Sequence, residues 1–88
     1  MQIHAKLFAT LTRMVPDETR KQYPQSVHAG SVLEIGLPEG STLADLVEHL
    51  GLPSDKVRVI FVNGRVRKRD HVLVSGDEVG LFPPVGGG

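Results

Sequence analysis

Residues 41–53 read Ser-Thr-Leu-Ala-Asp-Leu-Val-Glu-His-Leu-Gly-Leu-Pro, and this stretch decides the fold. Leu43, Leu46, Val47 and Leu50 fall at i, i+3, i+4 and i+7, which makes one apolar stripe at helical spacing. Thr42 can accept from the amides of the first turn. Asp45 three residues on completes a capping-box-like pair, although Glu or Gln is the commoner partner. Gly51 suits the left-handed residue just past a helix end, and Pro53 forbids continuation. The spacing therefore predicts an amphipathic helix over 42–50, with Asp45, Glu48 and His49 left in water.

On either side the sequence changes period. Upstream, Ser31 to Leu37 alternates, with Leu33, Ile35 and Leu37 as the inward set, and Pro38-Glu39-Gly40 supplies a turn. Gln2 to Phe8 alternates in the same way: Ile3, Ala5 and Leu7 on one side, His4, Lys6 and Phe8 on the other. Between these strands the chain is polar. It reads as a short helical turn at Leu11 to Val15 and then a surface loop to about Gly30, long for a compact domain. Downstream, Val57 to Val62 is rich in β-branched residues. Asn63-Gly64 follows, a strong hairpin signal because both central residues of a type I′ turn need positive φ. Arg65 to Arg69 forms the return strand. After a turn at Ser75-Gly76-Asp77, Glu78 to Phe82 alternates, until Pro83-Pro84 ends the ladder for want of amide hydrogens.

The order is strand, strand, helix, strand, short strand, strand. An α+β fold follows, with one main helix on one face of a mixed four- to five-stranded sheet whose first and last strands are parallel and central. This is a β-grasp arrangement over 1–82, with 83–88 as a flexible glycine-rich tail. Period two then has a consequence. If Ile3, Leu7, Val79 and Leu81 face the helix, Phe8 and Phe82 share the opposite face, as a small second cluster or a docking surface.

Composition narrows the functions available. At 88 residues the chain makes one domain with a small core, too little for most enzymes. It has no cysteine, which excludes disulfides, thiolate metal sites and a cysteine nucleophile. The four histidines, His4, His28, His49 and His71, share no ligand spacing, so no metal is expected. Ten basic residues balance ten acidic ones, so no overall field draws the chain to nucleic acid or membrane. No apolar run suffices for a membrane span, and the start lacks a signal-peptide layout; a cytoplasmic location is expected.

The sharpest chemical signal is at the end, Val85-Gly86-Gly87-Gly88. Glycines alone suit a frayed end or a linker as well as a working one. Following two stiff prolines, they make a thin arm that can thread a channel too narrow for any side chain and present a carboxylate there. A carboxylate is a poor electrophile, so chemistry at Gly88 needs activation, typically as an acyl-adenylate formed from ATP by a partner.

Leu-Phe-Ala-Thr-Leu at 7–11, Val-Asn-Gly at 62–64, Gly-Asp-Glu-Val at 76–79 and Phe-Pro-Pro-Val-Gly-Gly-Gly at 82–88 together resemble the MoaD/ThiS family of ubiquitin-like sulfur carriers. The ending is nearer the molybdopterin synthase small subunit, with Gly86 in its variable position. The 17–29 segment departs from the compact members in being polar and extended. The resemblance implies a ubiquitin-like β-grasp carrier with no bound cofactor and no catalysis of its own. An E1-like enzyme would adenylate Gly88 with ATP, and a sulfur donor would convert it to a thiocarboxylate. The large subunit of a synthase would then receive the sulfur for a molybdenum or tungsten cofactor. By position, Gly86 and Gly87 thread the partner's channel, and Phe8, Val66 and Phe82 form an apolar docking patch. With no cysteine in the chain, carried sulfur has only the terminal carboxyl to sit on.

The remaining features weigh less. Arg65, Arg67, Lys68 and Arg69 form a basic run that suits a solvated hairpin better than nucleic acid, since no aromatics interleave it. Contact with an acidic surface on an activating enzyme is a more specific use. His4 shares its face with Phe8 and borders the patch. Asp77-Glu78 is a carboxylate pair without a pocket or nucleophile. A thiamine-pathway carrier, a modifier joined through Gly88 to lysines, and a non-covalent adaptor are the competing functions.

Overall fold

Alternation places Ile3, Ala5 and Leu7 on one face of β1 (Gln2–Leu7), and all three are buried in the computed structural model, which describes residues 1–23 and 30–84. Four further strands complete the sheet: β2 (Val32–Gly36), β3 (Val59–Val62), β4 (Arg65–Val66) and β5 (Glu78–Phe82). Their spatial order is β2-β1-β5-β3-β4. β1 and β5 run parallel at the centre, in the register His4 to Glu78 through Leu7 to Leu81, and the other pairings are antiparallel. The molecule is a ubiquitin-like β-grasp of the α+β class.

The helix forms where the stripe predicts it. α3 (Leu43–His49) follows two single-turn helices, α1 (Leu11–Met14) and α2 (Asp17–Arg20). The Thr42 hydroxyl accepts from the Asp45 amide at 3.3 Å, and the Asp45 carboxylate accepts from the Thr42 amide at 2.9 Å. Two more amides of the first turn would be orphaned in an isolated helix. Here Leu43 donates to the His71 carbonyl and Ala44 to that of Arg69. Leu43, Leu46, Val47 and Leu50 join the strand residues Ile3, Leu33, Ile35, Ile60, Val79 and Leu81 in one core.

The region between β1 and β2 is shorter of irregular structure than its polarity suggests. Asp17–Arg20 closes a helical turn after Pro16, with both acids in the first turn, where the helix dipole favours them. The Arg20 guanidinium donates to the carbonyls of Val15 and Thr12, tying α2 back to α1. Tyr23 packs against the core; its hydroxyl lies 3.2 Å from His49 Nε2, and burial raises its pKa above the ordinary 10.0. The part of the expected loop at 24–29 lies outside the described residues.

The strands flanking the hairpin are also trimmed. β3 starts at Val59 because Ser54–Lys56 forms a 3₁₀ turn first. The return strand pairs only over Arg65–Val66, one further bond running from the Arg67 amide to the Ile60 carbonyl. The chain then turns away, His71 donating to the Lys68 carbonyl. The Arg69 guanidinium fixes that turn by bonding Ser54 Oγ, the Ser54 carbonyl and the Val57 carbonyl. Asn63 takes φ +52° and Gly64 φ +84°, as the type I′ turn requires.

Gly51 and Gly64 both have positive φ, but their surroundings differ. A Cβ on Gly51 would stand 2.8 Å from the Pro16 ring, whereas one on Gly64 would meet nothing within 4 Å. Gly64→Ala is expected to cost about 1 kcal/mol from the backbone alone. Gly51→Ala should cost roughly 2–3 kcal/mol, because the α2 end must also shift. Urea denaturation of the two variants checks this, and equal losses would show that Pro16 does not confine Gly51.

Candidate functional site

The sheet face that α3 leaves bare is set by the register. Val32, Lys6, Gly80, Phe61 and Val66 lie in one row across all five strands. In the row at one side, Phe8 and Phe82 stack with ring centroids 4.3 Å apart and planes within 1°. Phe61 meets Phe82 edge-on at 5.5 Å and 77°. The arrangement combines a stack with a T-shaped contact, so Phe82 is the hub of the cluster. In the row at the other side His4 sits between Glu34 and Glu78, its neighbours on the flanking strands. The face thus grades from aromatic to charged.

Gly80 makes the floor. A Cβ there would come within 3.4 Å of Phe82 and 3.5 Å of Phe8, so the rings lie over bare backbone. The resulting groove holds about 580 Å³ and is lined by His4, Lys6, Phe8, Val32, Phe61 and Phe82 around that glycine. Phe8 and Phe82 are therefore brought together as the alternation predicts, with His4 on the border. Val66 pairs with Phe61 on the same face but flanks the groove, 62% exposed, without lining it. Phe61 is the member that sequence reasoning missed. Its signal was its place between Ile60 and Val62, which puts it outward if they face in.

Asp77 and Glu78 do not form a carboxylate pair, because they diverge in environment. Glu78 is exposed beside the groove, whereas Asp77 is buried. Its two oxygens accept from Asn63 Nδ2 at 3.0 Å and from the Val74 amide at 2.9 Å. Asn63 Oδ1 in turn accepts from the Glu78 amide at 3.0 Å. The network ties the hairpin turn to the start of β5, and its role is structural.

Gly86, Gly87 and Gly88 lie outside the described residues, and Pro84, two residues beyond β5, is the last residue described before them. Among the described residues no group of three or more His, Cys, Asp or Glu is placed to hold a metal ion, and no helix is long and apolar enough to cross a membrane.

A five-stranded mixed sheet with one main helix and an uncovered aromatic face defines a ubiquitin-like β-grasp protein. The chain belongs to the ThiS family, whose model matches residues 25–88 and so takes in the terminal glycines. Proteins of this ThiS/MoaD class are small carriers, generally non-catalytic. Three solved structures are similar over nearly the whole chain. A putative molybdopterin converting factor subunit 1 from Pyrococcus furiosus is 28% identical, with a TM-score of 0.65 over 97% of this chain and 99% of its own. SAMP1 from Haloferax volcanii is 24% identical, with a TM-score of 0.66 and all of both chains covered. A chain from the complex of subunits 1 and 2 of molybdopterin-converting factor from Helicobacter pylori 26695 is 19% identical, with a TM-score of 0.56 and all of both chains covered. The last two are alike in fold alone. Among curated proteins nothing matches the sequence.

Because Phe82 touches both other rings and Phe8 touches one, the two truncations should differ. Phe82→Ala is expected to lower stability by about 1–2 kcal/mol, and Phe8→Ala by roughly half as much. Chemical denaturation of both variants measures the ratio, and a larger loss for Phe8→Ala would refute Phe82 as the hub.

Proposed function

We propose that this chain is a sulfur carrier for molybdopterin-type cofactor synthesis, working through a thiocarboxylate on Gly88. The observation that carries the reading is the junction of β5 with its tail. The strand at the sheet centre ends beside the aromatic groove and passes through Pro83-Pro84 into a glycine run that the family match includes. An E1-like partner docked on Phe8, Phe61 and Phe82, with Val66 at the rim, would receive the tail in a channel sized for Gly86 and Gly87. There an oxygen of the Gly88 carboxylate attacks the α-phosphorus of ATP and pyrophosphate leaves. Sulfur at the oxidation level of hydrosulfide, supplied by a donor, then attacks the acyl carbon. AMP departs with the bonding pair, leaving the thiocarboxylate.

The choice of molybdopterin rests on the Phe-Pro-Pro-Val ending and on the Pyrococcus furiosus likeness, the only one of the three structures above 25% identity. The large subunit of a synthase is the corresponding acceptor, since the Helicobacter pylori structure is a complex of the two subunits. In this reading 1–82 is the rigid body that partners grip and 83–88 is the delivery arm.

Intact-mass spectrometry after incubation with ATP, a sulfide source and the host's E1-like enzyme should show one oxygen replaced by sulfur at Gly88. Deleting Gly88 should abolish the change. Gly88→Ala should slow adenylation about tenfold or more, the kinetic equivalent of a clash of about 1.4 kcal/mol. No mass change, with the enzyme active on another carrier, would sink the proposal, and isopeptide conjugates in cells would establish a protein modifier instead.

A further inference from the structure

The basic run at 65–69 has no part in the groove or the tail, and the fold divides it. Arg69 is consumed in holding its turn against Ser54 and Val57. Arg65, Arg67 and Lys68 are exposed and have no acidic partner among the described residues. Because Val66 points to the open face with Phe61, alternation sends Arg65 and Arg67 to the other side of β4, at the sheet edge. There they meet the segment 71–74, which is stitched to the start of α3 by the Thr42–Val72 bridge and the bond from the Leu73 amide to the Ser41 carbonyl. Leu73 is buried, so Val72 and Val74 are turned outward, 53% and 59% exposed.

A seam of about 310 Å³ runs between the two segments, with Arg65 and Arg67 along one wall and Val72 and Val74 along the other. Its one acidic lining residue, Asp77, is buried and bonded to Asn63 and Val74, whereas Arg65 and Arg67 are exposed, so the charge nearest a ligand is cationic. Two exposed valines beside two unpaired guanidiniums suit a ligand that alternates apolar and acidic side chains. Guanidinium recognises carboxylate in a fork geometry that gives direction as well as attraction. Among the described residues no Phe, Tyr or Trp ring lines the seam, and its one ring is the half-buried His71, so a nucleic acid strand would find no run of stacking platforms there.

We propose that this seam is a second docking site, which takes an extended acidic peptide segment of a partner protein. It lies across the sheet from the aromatic groove. The two share no lining residue, so a partner held at the seam leaves the aromatic groove open and the chain can be retained by one protein while another engages that groove. The proposal does not depend on what Gly88 carries.

The test uses the full chain and a dye-labelled octapeptide alternating Glu and Val. Anisotropy should show saturable binding that weakens as salt rises, and amide shifts in ¹⁵N spectra should centre on 65–67 and 71–74. The double change Arg65→Glu, Arg67→Glu is expected to weaken binding about tenfold or more. Val72→Ser with Val74→Ser should weaken it about threefold to tenfold. All four positions are exposed, so folding is not at issue. Deleting Gly88 should change nothing here, which separates this site from the carrier reading. No saturation by about 1 mM peptide would overturn the proposal. So would shifts centred on Phe8 and Phe82, indifference to both double variants, or tighter binding of a single-stranded oligonucleotide of equal charge.

Discussion

The parallel pairing of β1 with β5 is the constraint on which the other features of this molecule depend. It joins segments from opposite ends of the chain at the centre of the sheet, and its register fixes both faces together. Ala5 opposite Val79 and Leu7 opposite Leu81 build the core beneath α3. The same register brings Phe8 alongside Phe82 on the far face. A slip of one residue would reverse every side chain of β5, burying Glu78 and exposing Val79 and Leu81. Core and groove therefore cannot be varied separately, because they are two sides of one ladder.

That ladder is held in register at its start by polar contacts. The Asp77 carboxylate, with Asn63 and the backbone of Val74 and Glu78, fastens the β3–β4 turn to the entry of β5. A buried carboxylate is costly unless its oxygens are satisfied, and here both are. Asn63 does two jobs: it adopts the positive φ that the hairpin needs, and its amide both donates to Asp77 and accepts from Glu78. The basic seam inherits its shape from the same contacts, since Val74 and Asp77 belong to both.

Much of this was legible in the sequence because the signals were periodic or stereochemical. The helix could be read from its stripe, its cap and Gly51, and the outward placement of Phe8 and Phe82 from alternation alone. Phe61 was hidden because Val57 to Val62 is apolar nearly throughout, and a continuous apolar run does not show which alternate residues face out. The α2 turn was hidden because four residues carry no stripe, and its stability comes from Arg20 reaching back to Val15 and Thr12. Asp77 read as an ordinary turn residue, since its burial is set by Asn63, fourteen positions away in the chain. Arg65 to Arg69 looked like one strand, but the turn that Arg69 makes with Ser54 divides it. What local pattern could not supply were side-chain bonds between distant segments.

The position of β5 also bears on how the molecule comes into being. As the ribosome makes this domain, β1 emerges first of its strands and β5 last, yet β5 lies between β1 and β3. Until residues 78–82 are free, the middle of the sheet is a gap, with the donors and acceptors of β1 open along one edge. Closing that gap pairs His4 with Glu78, far apart in sequence, so completing the sheet is a late, cooperative event. Phe82 belongs to this last strand, so an unfinished chain has no Phe8–Phe82 stack and no gripping surface. A partner that recognises the stack would pass over chains in which β5 is not yet in place and engage the domain only once it has folded.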